Sequence, residues 1–144
     1  MWLFMELEVL VGRYHDALGA FATGDSEPLK SLVSHRDDVT LANPFGPPVL
    51  GWDDVSEALD YASSRFREGR VTTFENLANY VSPDLATILE VEMWEAKVGE
   101  RDDIAPFVLR VTTTFRREDG DWKIVHRHAD PIASQDPQGP LRGS

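Results

Sequence analysis

The segment "WKIVHRHADP", residues 122–131, sets His126, His128 and Asp130 at alternate positions near the end of the chain. Imidazole beside carboxylate is the equipment of general acid–base catalysis near neutrality. The histidine pKa lies close to the working pH, and a neighbouring carboxylate fixes the ring's tautomer. Alternate residues of a β-strand share a face and stand about 6.6 Å apart. If this segment is a strand, the trio shares its face with Trp122 and Ile124, and Lys123, Val125, Arg127 and Ala129 take the other. An apolar face points at the core, so this parity expects the trio inside. Burying such groups is costly unless they are paired or share space with water or ligand. The row therefore implies either a closed hydrogen-bonded network that fixes packing or the polar end of a cavity.

Other residues extend the chemistry. In "DVTLANPFGPPVLGW", Val39, Leu41 and Asn43 alternate with Thr40 and Ala42 in a strand that Pro44 ends. Asn43 thus faces inward, where its amide can polarise a carbonyl or orient a water. The expected pocket walls are Leu41, Leu89, Val91, Met93, Val111, Thr113, Phe115 and Ile124, the apolar parities of their strands. Trp52, after Gly51, covers a helix start or lines the pocket mouth. Glu90 and Glu92 share a face with Trp94, read here as the outward one, where they pair with cations such as Arg110. An outer face of paired charges and an exposed Trp suits a homodimer contact. "HRHAD" also matches the H-x-H-x-D pattern of metallo-β-lactamase-type sites, whose His and Asp ligands suit zinc or iron. That fold is larger and supplies histidines downstream, whereas His15 and His35 here lie upstream, so no metal is expected.

The elements that must position these groups are legible as periodicities. Leu3, Leu7, Leu10/Val11, Tyr14, Ala17/Leu18 and Phe21 keep helical spacing, and Gly24 is the expected left-handed stop. "SEPLKSLVS" predicts a short helix capped by Ser26, with Pro28 in its first turn. "DDVSEALDYASSRFREG" predicts a helix with a capping box at Asp54 and Glu57 and a stop at Gly69. From residue 70 the chain reads as strands, with a tight Asp119-Gly120 turn before the last. Helices first and antiparallel strands last is an α+β layout, a curved sheet wrapped around N-terminal helices. Residues 1–132 form the single domain, and the Pro- and Gly-rich residues 133–144 read as a loose tail.

The 144 residues carry a net charge of −11, a field that repels phosphate backbones and anionic membranes, so neither nucleic acid nor membrane is an expected partner. With no cysteine, thiolate zinc sites, disulfides and cysteine nucleophiles are excluded. The apolar opening "MWLFMELEVLV" lacks the basic flank and cleavage site of a signal peptide, so a soluble cytoplasmic location is expected. There is no Gly-rich phosphate loop and no G-x-S-x-G elbow, so neither a nucleotide cofactor nor a serine hydrolase is indicated. No cofactor is expected.

Taken together, "RYHDAL…FATGD", "DDVTLANPFGPPVLGWDDV" and "TTTFRREDGDWKIVHRHADP" resemble the NTF2-like superfamily, and within it the SnoaL-like and ketosteroid-isomerase-like branch. The resemblance spans roughly residues 5 to 132. It implies a cone-shaped α+β barrel with a deep apolar pocket, usually dimeric through the outer sheet face. In ketosteroid isomerases the base is an aspartate before a Pro-x-Gly turn; here Asn43 holds that position and cannot serve as base. Their oxyanion-hole aspartate falls near Thr113, and Tyr14 matches their oxyanion-hole tyrosine. In cyclase-like members a late-strand carboxylate or histidine moves the proton, as the row His126, His128, Asp130 would. The resemblance thus implies cofactor-free proton transfer on a small hydrophobic substrate: isomerisation, cyclisation, dehydration or epoxide opening. The alternative is a non-catalytic ligand-binding or dimerisation module.

Overall fold

The computed structural model describes residues 2–132, with side chains from residue 5 onward; the expected tail, 133–144, lies outside the described residues. Helix α1 (Trp2–Phe21) is followed by α2 (Glu27–Leu32), β1 (Thr40–Ala42), β2 (Val49–Leu50), α3 (Trp52–Ser64), β3 (Phe66–Val81), β4 (Leu85–Val98), β5 (Ala105–Glu118) and β6 (Asp121–Pro131). The strands form one sheet in the order β2-β1-β6-β5-β4-β3, with β1 parallel to β6 and the other neighbours antiparallel. The helices cover one face, as the α+β layout requires.

The helical stripe of α1 behaves as its spacing dictates: Leu7, Leu10, Tyr14, Ala17, Leu18 and Phe21 are buried. Gly24 adopts φ +98° and ends the helix. Ser26 does not cap α2; its hydroxyl donates to Asp60 Oδ1 on α3 at 2.6 Å. Helix α3 starts at Trp52, with Gly51 at φ +91° as its N-cap residue, so the expected capping box does not form. It ends at Ser64, five residues before Gly69. Gly69 instead lies within β3, where an added Cβ would sit 2.6 Å from the Ala22 carbonyl oxygen and 2.7 Å from Ala96 Cβ. Its role is close approach of β3 to the end of α1.

Two strands depart from the expected parity, and both departures reshape the site. In β5, Leu109, Val111, Thr113 and Phe115 are buried as expected. Their β6 partners shift register between Thr114 and Phe115: Thr114 pairs with His126, whereas Phe115 pairs with Ile124. Val125 is thus the extra residue of a β-bulge, and a bulge reverses the alternation beyond it. Ile124 is inward, but from there on Arg127 and Ala129 take the buried face. His126, His128 and Asp130 therefore lie on the outer face, contrary to the reading from strict alternation. In β4 the buried set is Ala86, Ile88, Glu90, Glu92, Trp94 and Ala96. Leu89, Val91 and Met93 face outward, and Met93 is exposed. Both parities of β4 carry apolar side chains, so hydropathy alone could not choose between them.

Candidate functional site

Arg127, delivered to the interior by the bulge, is the centre of a buried polar network. Its guanidinium grips Glu92 in a fork, Nη1 to Oε2 at 2.9 Å and Nη2 to Oε1 at 3.0 Å. Nη1 also donates to the Tyr14 hydroxyl, which is in turn 2.8 Å from Thr113 Oγ1. Trp94 Nε1–H donates to Glu92 Oε1 at 3.0 Å. Glu92 is 0% exposed and Arg127 8%. Burial works against the Arg127 charge, but the Glu92 carboxylate and the Tyr14 hydroxyl together more than offset it, so the guanidinium stays protonated. Burial likewise pushes the Tyr14 hydroxyl well above its ordinary value despite the opposing charge of Arg127, so Tyr14 is a neutral hydrogen-bonding group. These three bonds leave Nε–H and one Nη2–H over, and among the described residues neither has an acceptor.

A second buried carboxylate, Glu90, lies one inward position before Glu92. It accepts from His15 Nε2 at 2.8 Å and from Asn76 Nδ2 at 3.3 Å, and the His15 ring stacks on Phe74 at 3.5 Å. Each buried carboxylate of β4 thus has its own donor set, as the interior demands.

Arg127 lines two small voids under the helices, of about 30 and 10 Å³. The larger is walled by Phe66, Trp94 and Leu109 together with Leu41, Asn43 and Phe45. Beyond those last three residues an open cleft of about 300 Å³ lies between the β1–β2 turn and α3, bounded also by Val49, Asp54, Glu57, Ala58 and Tyr61. Phe45 stands between the two spaces, its ring edge-on to Phe66 at 5.5 Å and to Tyr61 at 6.5 Å. Asn43 Oδ1 accepts from the Phe45 N–H at 2.9 Å, an Asx turn that sets the Phe45 position.

With that geometry in view, comparison with known proteins is decisive for the family: the model of the SnoaL-like domain matches residues 10–134. The chain belongs to the SnoaL-like domain family. No curated protein matches it. Among solved structures, this SnoaL-like domain is similar to an NTF2-like superfamily protein from Salmonella enterica, with TM-score 0.75 and 17% identity over 97% of this chain and 96% of that one. A ketosteroid isomerase-like protein from Erwinia carotovora matches with TM-score 0.71 and 17% identity, over 88% and 94% of the two chains. A cystatin-like-fold protein from Nostoc punctiforme gives TM-score 0.67 and 18% identity, over 92% of each. At these identities the likeness is one of fold, and it agrees with the α+β sheet described above.

The SnoaL-like domain brings only part of the expected constellation together. Tyr14 and Thr113 meet in the network, while Asn43 and Leu41 line the cleft and the larger void, and Ile124 the smaller one. Val111 and Phe115 are core. Trp52 stacks on His35 at 3.8 Å beside a separate groove. His126, His128 and Asp130 are not brought to Asn43 or Tyr14. Asp130 is forked by Arg110, and His126 Nδ1 is 2.8 Å from Thr40 Oγ1. Partial burial holds the His126 imidazole below its ordinary pKa, and His128 adds to the effect. Arg127, Glu92, Trp94, Glu90 and His15 were not singled out from sequence as site residues. The available signal was Glu90-x-Glu92 in phase with Ile88, Trp94 and Ala96, an apolar frame around two carboxylates.

Proposed function

We propose that this SnoaL-like domain binds a small, largely apolar molecule in the cleft between the β1–β2 turn and α3, with one ligand oxygen reaching inward to Arg127. The observation that carries the reading is shared walls: Leu41, Asn43 and Phe45 line both the cleft and the void that Arg127 also lines. Rotation of the Phe45 ring would join the two. The cleft alone is at the small end of the range for small-molecule sites, about 300 Å³. A guanidinium N–H without a protein acceptor, reached from the cleft, stabilises negative charge developing on a carbonyl oxygen. That is the need of isomerase- or dehydratase-type proton transfer, and the fold shared with a ketosteroid isomerase-like protein supports this reaction class. Asp54 and Glu57, which line the cleft, are the carboxylates offered as base.

One observation favours a second reading, a packing module without ligand: the inner voids hold only about 30 and 10 Å³. Ligand-observed NMR with a mixture of small aromatic ketones and carboxylates separates the two. Under the binding reading, hits compete for one site and vanish in Ala58→Trp, which fills the cleft. Hits that persist in that variant, or none in the native chain, favour the packing module.

A further inference from the structure

The bulge that sends Arg127 inward also strands two histidines on the outer face of the sheet, where the network has no use for them. His126 is half-buried and His128 exposed, with ring centroids 6.4 Å apart and planes at 76°. Their cross-strand neighbours are Thr40 and Ala42 on β1 and Thr114 and Thr112 on β5, all uncharged. Ionised groups two positions away on this face are already paired: Arg110 forks Asp130 at 2.7 and 3.3 Å, and Arg116 binds Asp38 at 2.7 and 2.9 Å and Glu118 at 2.6 Å. His128 has no hydrogen bond among the described residues.

We propose that His126 and His128 chelate one divalent transition-metal ion through their Nε2 atoms on the outer sheet face, with water in the remaining positions. The metal would sit about 2.1 Å from each Nε2, which puts ring centroids of a tetrahedral pair about 5.2 Å apart. The observed spacing is about 1 Å wider than that, a shift within the rotamer freedom of an exposed side chain. Thr40 supplies the outer support that metal-bound imidazoles need. In the tautomer whose Nδ1–H donates to Thr40 Oγ1, the His126 lone pair is on Nε2 and free for a metal. Asp130 could become a third ligand only by releasing Arg110. That agrees with the absence of any three-residue metal cluster among the described residues. The site is therefore a two-imidazole one, suited to Cu²⁺, Ni²⁺ or Zn²⁺ and unsuited to Mg²⁺, which wants oxygen ligands. It is independent of the cleft and of what the cleft binds.

Calorimetric titration of the chelator-stripped chain with CuCl2, NiCl2, ZnCl2 and MgCl2 tests this. The expected result is saturable binding of one transition-metal ion per chain, tightest for Cu²⁺ and undetectable for Mg²⁺. Binding should be lost in His126→Ala and in His128→Ala, and weakened about tenfold in Thr40→Val. It should be unchanged in His35→Ala, whose ring stacks on Trp52 elsewhere. Circular dichroism should report the same fold in all four variants. Absence of saturable binding, or binding that survives either of the first two substitutions, overturns the proposal.

Discussion

Glu92→Ala is expected to lower the unfolding free energy by about 3–5 kcal/mol, because it leaves the Arg127 guanidinium buried without its counter-charge. The magnitude follows from the geometry. Both partners are nearly or wholly removed from solvent, and two of the Arg127 hydrogen bonds end on that one carboxylate. The Trp94 indole N–H would lose its acceptor as well. Removing both charges is a different experiment. Glu92→Leu combined with Arg127→Met should come within about 1 kcal/mol of the native chain, since a buried pair gains little over apolar packing of similar volume. Urea unfolding of the two variants measures both. A single substitution costing no more than the double one would mean that the pair is solvated and the network is not the closed interior floor described here.

Gly69→Ala should destabilise by about 2–3 kcal/mol, the usual cost of overpacking a site that cannot yield. The backbone at Gly69 is not in the left-handed region, so the loss comes from space and not from φ. The new methyl would meet a backbone carbonyl at 2.6 Å and a neighbouring Cβ at 2.7 Å, and neither can rotate away. Because Gly69 N–H also donates to the Ala22 carbonyl at 3.1 Å, relief by backbone shift would break the tie between α1 and β3. Gly46→Ala, where nothing lies within 4 Å of the added carbon, is the control and should be near neutral. Thermal unfolding should show a drop of roughly 4–12 °C for the first variant, at about 2–4 °C per kcal/mol for a chain near this size.

Where one physical signal dominated, the sequence was readable. The α1 stripe predicted its buried residues because one face of that helix is apolar and the other is not. The Asp119-Gly120 turn formed as expected, with φ of +51° and +87°, because the dipeptide suits a two-residue hairpin. Strand β5 showed its inward face because its other face carries Arg110, Thr112, Thr114 and Arg116. The site was less legible, for two reasons of different kinds. A one-residue bulge at Val125 leaves no mark in hydropathy, yet it exchanged Arg127 for the His126, His128 and Asp130 row. In β4, Leu89, Val91 and Met93 made the outer face look like the core, while Glu90 and Glu92 looked like surface. Their burial is paid for by partners on α1, β3 and β6, which no local pattern reveals. Tyr14 and Thr113 were legible as inward residues because the helical stripe of α1 and the alternation of β5 both hold without interruption.

The most direct test of the account follows the Arg127 side chain itself. In ¹⁵N-arginine-labelled protein, the Arg127 Nε–H resonance, assigned by its loss in Arg127→Lys, should exchange slowly with solvent and shift on titration with any oxygen-bearing compound that binds the cleft. A resonance that exchanges at the rate of surface arginines, or that stays fixed while a cleft ligand reaches saturation, would contradict it.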